Sequence, residues 1–292
     1  MGRVLTVDTA DVDRDAVLAW GRSTRRDLPW RRTRDPWAVL VSELMLQQTQ
    51  VSRVVPRYEV FLRRFPTATA CAAAGQAEVV RLWDGLGYNR RARHLHQAAA
   101  TICDRHRGEV PERLEDLLAL PGVGPYTARA VLVFAFERDV GAVDTNVARL
   151  LARWQGRTLS RHEVQAAADA TVPPGQAWEW TQALFDLGAT VCTKRSPSCG
   201  RCPVRPDCAW AGVGADPAKG SAGVGGSQSR FDGSDRQGRG RLIAALRRGP
   251  VASADLAATA GWTDDDARAA RVMAALVHEG LVVPDGDVYR LG

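Results

Sequence analysis

The chain has 292 residues, 45% hydrophobic and 25% charged, with a formal net charge of +6. That length and balance allow one large domain or two ordinary ones with a sizeable core, and they exclude a disordered polyelectrolyte. The basic excess is compatible with a polyanionic partner without demonstrating one. Its basic residues are arginines apart from Lys194 and Lys219, a bias that suits bidentate phosphate contacts and equally reflects genome composition. Apolar runs such as 130–136 are far too short to span a bilayer, and an N-terminus bearing Asp8, Asp11, Asp13 and Asp15 has no apolar signal core, so no membrane association and a cytoplasmic location are expected.

Residues 14–211 read as almost continuous helix. Leu40, Leu44, Gln47, Val51, Val55, Tyr58 and Leu62 fall on one helical face. Further helices are expected near 76–83, 90–107, 112–119, 125–136, 144–153, 160–171 and 176–190, separated by short turns carrying Gly or Pro. No period-2 strand pattern and no internal repeat is present. Composition changes after Trp210, and the Gly-, Ser- and Asp-rich stretch 212–238 reads as a flexible linker. Beyond it, helices are expected at 241–248, at 252–260 and from about Asp264 to Glu279 with Thr263 as cap, then two short strands around Asp285-Gly286. The pattern makes 239–292 a small winged-helix-like α+β module, of a kind that either binds DNA or docks a protein.

Cys192, Cys199, Cys202 and Cys208 form C-x6-C-x2-C-x5-C, four thiolates within seventeen residues. A reducing compartment argues against disulfides, and by ligand chemistry zinc and an iron–sulfur cluster are comparable occupants. Cys71 and Cys103 lie in alanine-rich helical stretches as core residues. The segment Leu120-Pro-Gly-Val-Gly-Pro-Tyr126 joins two helices as a hairpin, in which Gly122, Val123 and Gly124 can bring backbone N–H groups to a phosphate while Val123 packs inward. Asp144 precedes a helix and is at least its N-cap. Glu43 shares the apolar face of Leu40, Tyr58 and Phe61; a carboxyl there is expected to have a raised pKa, as a general acid needs, or to sit in a buried ion pair with an arginine.

Together, the LPGVGPYTA hairpin, Val143-Asp-Thr-Asn-Val147 and the cysteine spacing resemble the helix–hairpin–helix DNA glycosylases with an iron–sulfur cluster. The segments Leu28-Pro-Trp-Arg31, Ser42-Glu-Leu-Met-Leu-Gln-Gln-Thr-Gln50 and Gly85-Leu-Gly-Tyr-Asn-Arg-Arg-Ala-Arg-His-Leu-His96 narrow the resemblance to the adenine DNA glycosylases, the MutY family, over about residues 14–211. The resemblance implies an all-α fold, a six-helix barrel module plus an iron–sulfur helical module across 1–211, and a 4Fe–4S cluster on the four cysteines. It implies a nucleoid-associated monomer acting on double-stranded DNA that contains a mispair. The enzyme would flip out adenine opposite 8-oxoguanine or guanine and hydrolyse its glycosidic bond. The residue matching Glu43 would protonate the adenine, and the one matching Asp144 would stabilise the sugar cation, by the two-carboxylate logic of glycoside cleavage. Asn146 and Tyr126 match residues that orient these groups. Leu28, Trp30 and Arg31 match positions around the adenine, Thr49 lies in a substrate-binding segment, and Gln48 and Tyr88 match residues that wedge beside the opposite base. The related endonuclease III proteins also cut the strand through a lysine; here Tyr126 stands at that position, which implies base removal alone. The chain departs from the family where a Nudix-related domain usually follows: it has the linker and the winged-helix-like module, a possible site for a protein partner. Two other readings stay open, a thymine or uracil mismatch glycosylase acting opposite guanine and a non-catalytic iron–sulfur DNA-binding protein.

Overall fold

The computed structural model describes residues 12–225, 230–263 and 265–292. These form α-helices and one small sheet, gathered into two compact units. The first draws on Met1–Val39, Glu112–Leu118 and Val123–Gly226, the second on Leu40–Pro111, Ala119–Gly122 and Ser227–Gly292. No helix among the described residues is long and apolar enough to cross a membrane.

In the first unit, α1 (Arg14–Thr24) is capped by Asp13, whose side chain accepts from the Ala16 N–H. It packs on α11 (Ala177–Thr190), a helix apolar around most of its circumference and therefore buried. Gly21 permits the approach, since a Cβ there would lie 2.5 Å from Ala183 Cβ. Beside α11 lie α8 (Pro125–Phe134) and α9 (Thr145–Gln155), with α10 (Arg161–Thr171) on α9. A capping box between Ser160 and Glu163 starts α10, and Gly156, with φ +65°, ends α9. The short α7 (Leu114–Leu118) leads into the hairpin turn before α8.

The second unit receives the latter part of α2 (Pro36–Leu46), then α3 (Val51–Arg64), α4 (Ala68–Ala73), α5 (Gln76–Leu82) and α6 (Arg90–His106). Alanines Ala92, Ala98 and Ala99 with Leu95 and Ile102 make the buried face of α6, and Phe61, Phe65 and Trp83 stack edge-on beside α3. The single helical face expected from Leu40 to Leu62 is interrupted. A turn at 47–50 separates α2 from α3, with Gln48 in the left-handed region at φ +56°. The angular argument that put Glu43 beside Tyr58 and Phe61 therefore does not hold, although Glu43 is indeed buried at 3% exposure.

The C-terminal module packs in this second unit. It comprises α12 (Asp235–Arg248), β1 (Val251–Ala252), α13 (Leu256–Ala260), α14 (Asp266–His278), β2 (Val282–Asp285) and β3 (Val288–Leu291), in an antiparallel sheet ordered β1-β3-β2. The first helix starts earlier than expected because Ser234 caps it by accepting from the Gln237 N–H. Asp265, not Thr263, caps α14; Asp264, where that helix was expected to begin, lies outside the described residues. The stretch expected as a flexible linker is packed onto the first unit over 216–222. Asp216 pairs with Arg153 at 2.7 Å and caps a 3-10 turn at Pro217–Gly220, and the Ser221 hydroxyl accepts from the Leu159 N–H at 3.0 Å. A composition rich in Gly and Ser gave no sign of these polar anchors. Residues 226–229 of that stretch lie outside the described residues.

Candidate active site

Asp144 is the N-cap of α9 and more. Its Oδ1 accepts from the backbone N–H groups of Asn146 (2.8 Å) and Val147 (2.7 Å), and its Oδ2 accepts from Asn146 Nδ2 (2.9 Å). Asn146 Oδ1 accepts in turn from Arg149 Nη2 at 2.8 Å. Arg149 also donates to the carbonyls of Gly188 (2.7 Å) and Cys192 (2.8 Å). An unbroken line of hydrogen bonds thus runs from the Asp144 carboxylate to the backbone of the first clustered cysteine. Gly188 makes room for it: a Cβ there would lie 2.6 Å from Asn146 Cβ. Burial pushes the Asp144 carboxyl above its ordinary pKa, and the bonds from Val147 and Asn146 and the Arg149 charge only partly oppose this.

Tyr126, in the first turn of α8, is half-buried with its ring 6.3 Å from Phe185. Leu28 precedes a buried 3-10 turn, Pro29–Arg31, that contains Trp30. Arg31, expected beside the base, forks onto Asp186 of α11 with bonds of 2.7 and 2.9 Å and donates to the Arg26 carbonyl. Its guanidinium holds the Leu28–Arg31 turn against α11. Burial works against ionisation of Asp186, yet Arg31 and Arg26 outweigh it and hold the carboxyl below its ordinary value.

The four clustered cysteines line one cavity, walled by Trp154, Val191, Pro197 and Trp210. Arg153 Nη1 donates to Cys192 Sγ at 3.2 Å, and the Ala211 N–H donates to Cys208 Sγ at 3.3 Å. Gly212, with φ +89°, keeps the wall thin, since a Cβ there would lie 3.1 Å from Cys199 Sγ. Burial pushes the thiols of Cys192 and Cys208 up and that of Cys202 to about 11. Apolar walls, donors aimed at sulfur and thiols that need a cationic neighbour to ionise are the surroundings a thiolate-bound metal group requires. Among the described residues no three His, Cys, Asp or Glu side chains converge as a single-ion site.

In the second unit, Glu43 is buried between Leu40 and Leu44 of α2. Gln48 and Thr49 lie in the turn after that helix, and Tyr88 lies in the loop before α6. Gln48 and Tyr88 are both exposed and both left-handed, at φ +56° and +47°, a conformation that costs a non-glycine residue about 1–3 kcal/mol. Arg91 joins the two loops. Its Nη1 donates to the carbonyls of Leu44 (2.8 Å), Met45 (2.8 Å) and Gln47 (2.6 Å), and its Nη2 to Thr49 Oγ1 (2.9 Å) and the Gly87 carbonyl (2.9 Å). Burial lowers this guanidinium to about 10. Under the hairpin, Gly122 at φ +78° sits on His94, where a Cβ would meet His94 Cβ at 2.6 Å. Val123 is buried, and Gly124 caps α8 in extended backbone with open space around it.

Sequence reasoning missed Arg91, Arg149 and Asp186. Nothing local separates the two arginines from the rest of an arginine-rich chain, and Asp186 lies far along the sequence from the turn it anchors.

The HhH-GPD superfamily base excision DNA repair protein family matches residues 41–174. An adenine DNA glycosylase of Mycolicibacterium smegmatis is 44% identical over 278 residues, covering 93% of this chain and 92% of the relative. That coverage leaves too little of the chain outside the alignment to omit the C-terminal module. The Homo sapiens adenine DNA glycosylase is 40% identical over 218 residues, 69% of this chain and 40% of that protein. Among solved structures, a thermostable thymine-DNA glycosylase is similar with 29% identity and a TM-score of 0.67, over 70% of this chain and 97% of that one.

Proposed function

This chain belongs to the adenine DNA glycosylase family of helix–hairpin–helix base excision repair proteins, and from that premise we propose that it excises adenine mispaired with 8-oxoguanine or guanine in double-stranded DNA, without cutting the strand. The observation that carries the mechanism is the fixed Asp144 carboxylate. One oxygen is held by the mouth of α9 and the other by Asn146, which Arg149 holds in turn. A carboxylate so oriented needs no reorganisation to face a developing cation.

In this mechanism adenine leaves the base stack for a pocket walled by Leu28 and Trp30. Glu43 donates its proton to a ring nitrogen of the base. The C1′–N9 bond breaks with its electron pair going to the protonated base, which leaves as neutral adenine. The sugar cation stands against Asp144, water adds at C1′ and gives its proton to solvent, from which Glu43 is reprotonated, and an abasic site remains. Tyr126 has no amine with which to form an imine, so the strand stays intact. Gly122, Val123 and Gly124 bring backbone to a DNA phosphate, Gln48 and Tyr88 fill the stack beside the opposite base, and Thr49 lies with them in the substrate-binding segment. Cys192, Cys199, Cys202 and Cys208 would hold a 4Fe–4S cluster, a reading supported by the family resemblance of their spacing and by four thiols lining one cavity. Such a cluster would supply a rigid cross-link through residues 192–208. The working protein is a monomer.

Duplexes carrying A:8-oxoguanine, A:G, T:G and U:G test the proposal in one panel. Adenine should be released from the first two, with strand breaks only after alkali. Release of thymine or uracil instead would favour the mismatch class to which the thymine-DNA glycosylase belongs, and tight binding without release from any duplex would favour a non-catalytic binder.

A further inference from the structure

The C-terminal module sits where it can act on the Tyr88 loop. Arg247, near the end of α12, has a side chain only 12% exposed. It donates to the Val80 carbonyl (3.1 Å), to Asp84 Oδ1 (2.8 Å) and to Asn89 Oδ1 (2.7 Å). Asp84 is the foot at which the chain enters the loop and Asn89 the foot at which it leaves, so one guanidinium closes the loop's base. Asn89 stands at the N-cap position of α6 but makes no capping bond with its side chain. Its amide oxygen serves Arg247 instead. Between the feet, Gly85, Gly87 and Tyr88 are all left-handed.

The rest of the module's contact face is equally committed. Glu279, 13% exposed, pairs with Arg90 at the start of α6 and with Arg239 of α12, both at 2.6 Å. Gln76 Nε2 donates to the carbonyls of Gly280 (2.6 Å) and Gly292 (3.1 Å). Gly280 lies so close to α6 that a Cβ would meet the Arg93 guanidinium at 3.2 Å. The surfaces by which a winged helix reads DNA have the wrong sign here. Asp265 and Asp266 are exposed at the start of α14, Arg268 and Arg271 of that helix pair with Asp235, and at the wing Arg290 is taken up by Asp285 at 2.6 Å while Asp287 is exposed at the tip. Phosphates repel such a tip and such a helix start.

From this placement we infer that the module is an intramolecular brace, and that Arg247 is a positioning residue that holds Tyr88 ready to enter the base stack. The inference rests on the proposed role of Tyr88. Arg247→Ala in the full chain should slow single-turnover adenine release from an A:8-oxoguanine duplex about tenfold. Arg247→Lys, which cannot reach both feet at once, should fall between the two. Combined with Tyr88→Ala, Arg247→Ala should add no further defect, since a brace has nothing left to hold. A duplex with 2-aminopurine next to the opposite base supplies a readout independent of chemistry. Its fluorescence should rise when the parent binds and rise much less with Arg247→Ala. Should Arg247→Ala not fold, Asn89→Ala removes the exit-foot bond from the loop side and should show the same non-additivity with Tyr88→Ala. A parental rate and parental fluorescence in these variants, or a defect that multiplies with that of Tyr88→Ala, would overturn the brace. A parent that unstacks 2-aminopurine yet releases no adenine would instead refute the proposed function.

Discussion

Replacing Asp186 with Asn tests the anchoring of the Leu28–Arg31 turn. Asp186 is 1% exposed and the Arg31 side chain 5%. Its carboxylate receives both arms of Arg31 and the Arg26 Nε at 2.6 Å. An amide keeps the shape, but it turns a donor toward an arginine donor and leaves Arg31 buried without its counter-charge. Breaking one side of such a pair costs about 3–5 kcal/mol, or roughly 10 °C in Tm at about 2–4 °C per kcal/mol for a domain of about 150–250 residues. Thermal melts followed by circular dichroism measure it. The sign with pH is fixed by the lowered Asp186 pKa. The pair's contribution is fully present above the ordinary value of 3.8 and is lost as pH falls through the lower folded value, so the gap between variant and parent should close in acid. Arg31→Met combined with Asp186→Leu removes both charges and should recover most of the loss. A single variant melting within about 2 °C of the parent, or a double variant no better than the single, would refute the assignment.

Asp144→Asn should abolish adenine release while keeping the α9 cap, because Asn caps as well as Asp. The raised Asp144 pKa stabilises the fold below 3.8 and that benefit is lost as pH rises through the folded value, while the amide of Asp144→Asn gives up the bond from Asn146 Nδ2 at every pH; the melting difference should therefore shift in the variant's favour between acid and neutral pH. For the same reason the parent's kcat/KM should fall, as pH drops, through a value above 3.8, read from a pH–rate profile. Arg91→Met leaves several loop carbonyls without a donor, which should cost at least about 3 kcal/mol and accelerate hydrogen exchange at 46–50 and 85–89. Cys199→Ser should lower bound iron from about four atoms per chain, measured by elemental analysis; zinc in the parent at one per chain would refute the cluster.

The helices of the first unit were legible because their ends are written locally. Ser160 with Glu163, Gly156 and Pro125 are signals that act within a turn of their own positions. The second unit misled at one point, since the apolar period from Leu40 to Leu62 runs through a turn without losing phase. The break at Gln48 is imposed by bonds from Arg91, more than forty residues later. The packed stretch 216–222 was missed for the same reason: its anchor, Asp216, has a partner sixty-three positions away. Local chemistry announced the candidate cation-stabilising carboxylate Asp144 through its cap, but the line through Asn146 and Arg149 to Cys192 depends on α11 returning to α9.

These misses share one chemistry, which also bears on the arginine bias. Arg91 reaches carbonyls at the end of α2 and in the two loops, Arg149 reaches Asn146 and two carbonyls, Arg153 bridges Cys192 and Asp216, and Arg247 spans both feet of one loop. Each task needs donors pointing in divergent, fixed directions from a planar group, and a lysine offers only a single nitrogen. Genome composition can raise the number of arginines on the surface, but it gives no reason for a half-buried or buried one to be saturated with acceptors from separate segments. In this fold the arginines act as cross-links that hold non-glycine residues in left-handed turns and fix the carboxylate at Asp144. The same side chain that would contact phosphate on the outside of the protein supports, within it, the loops expected to enter the base stack.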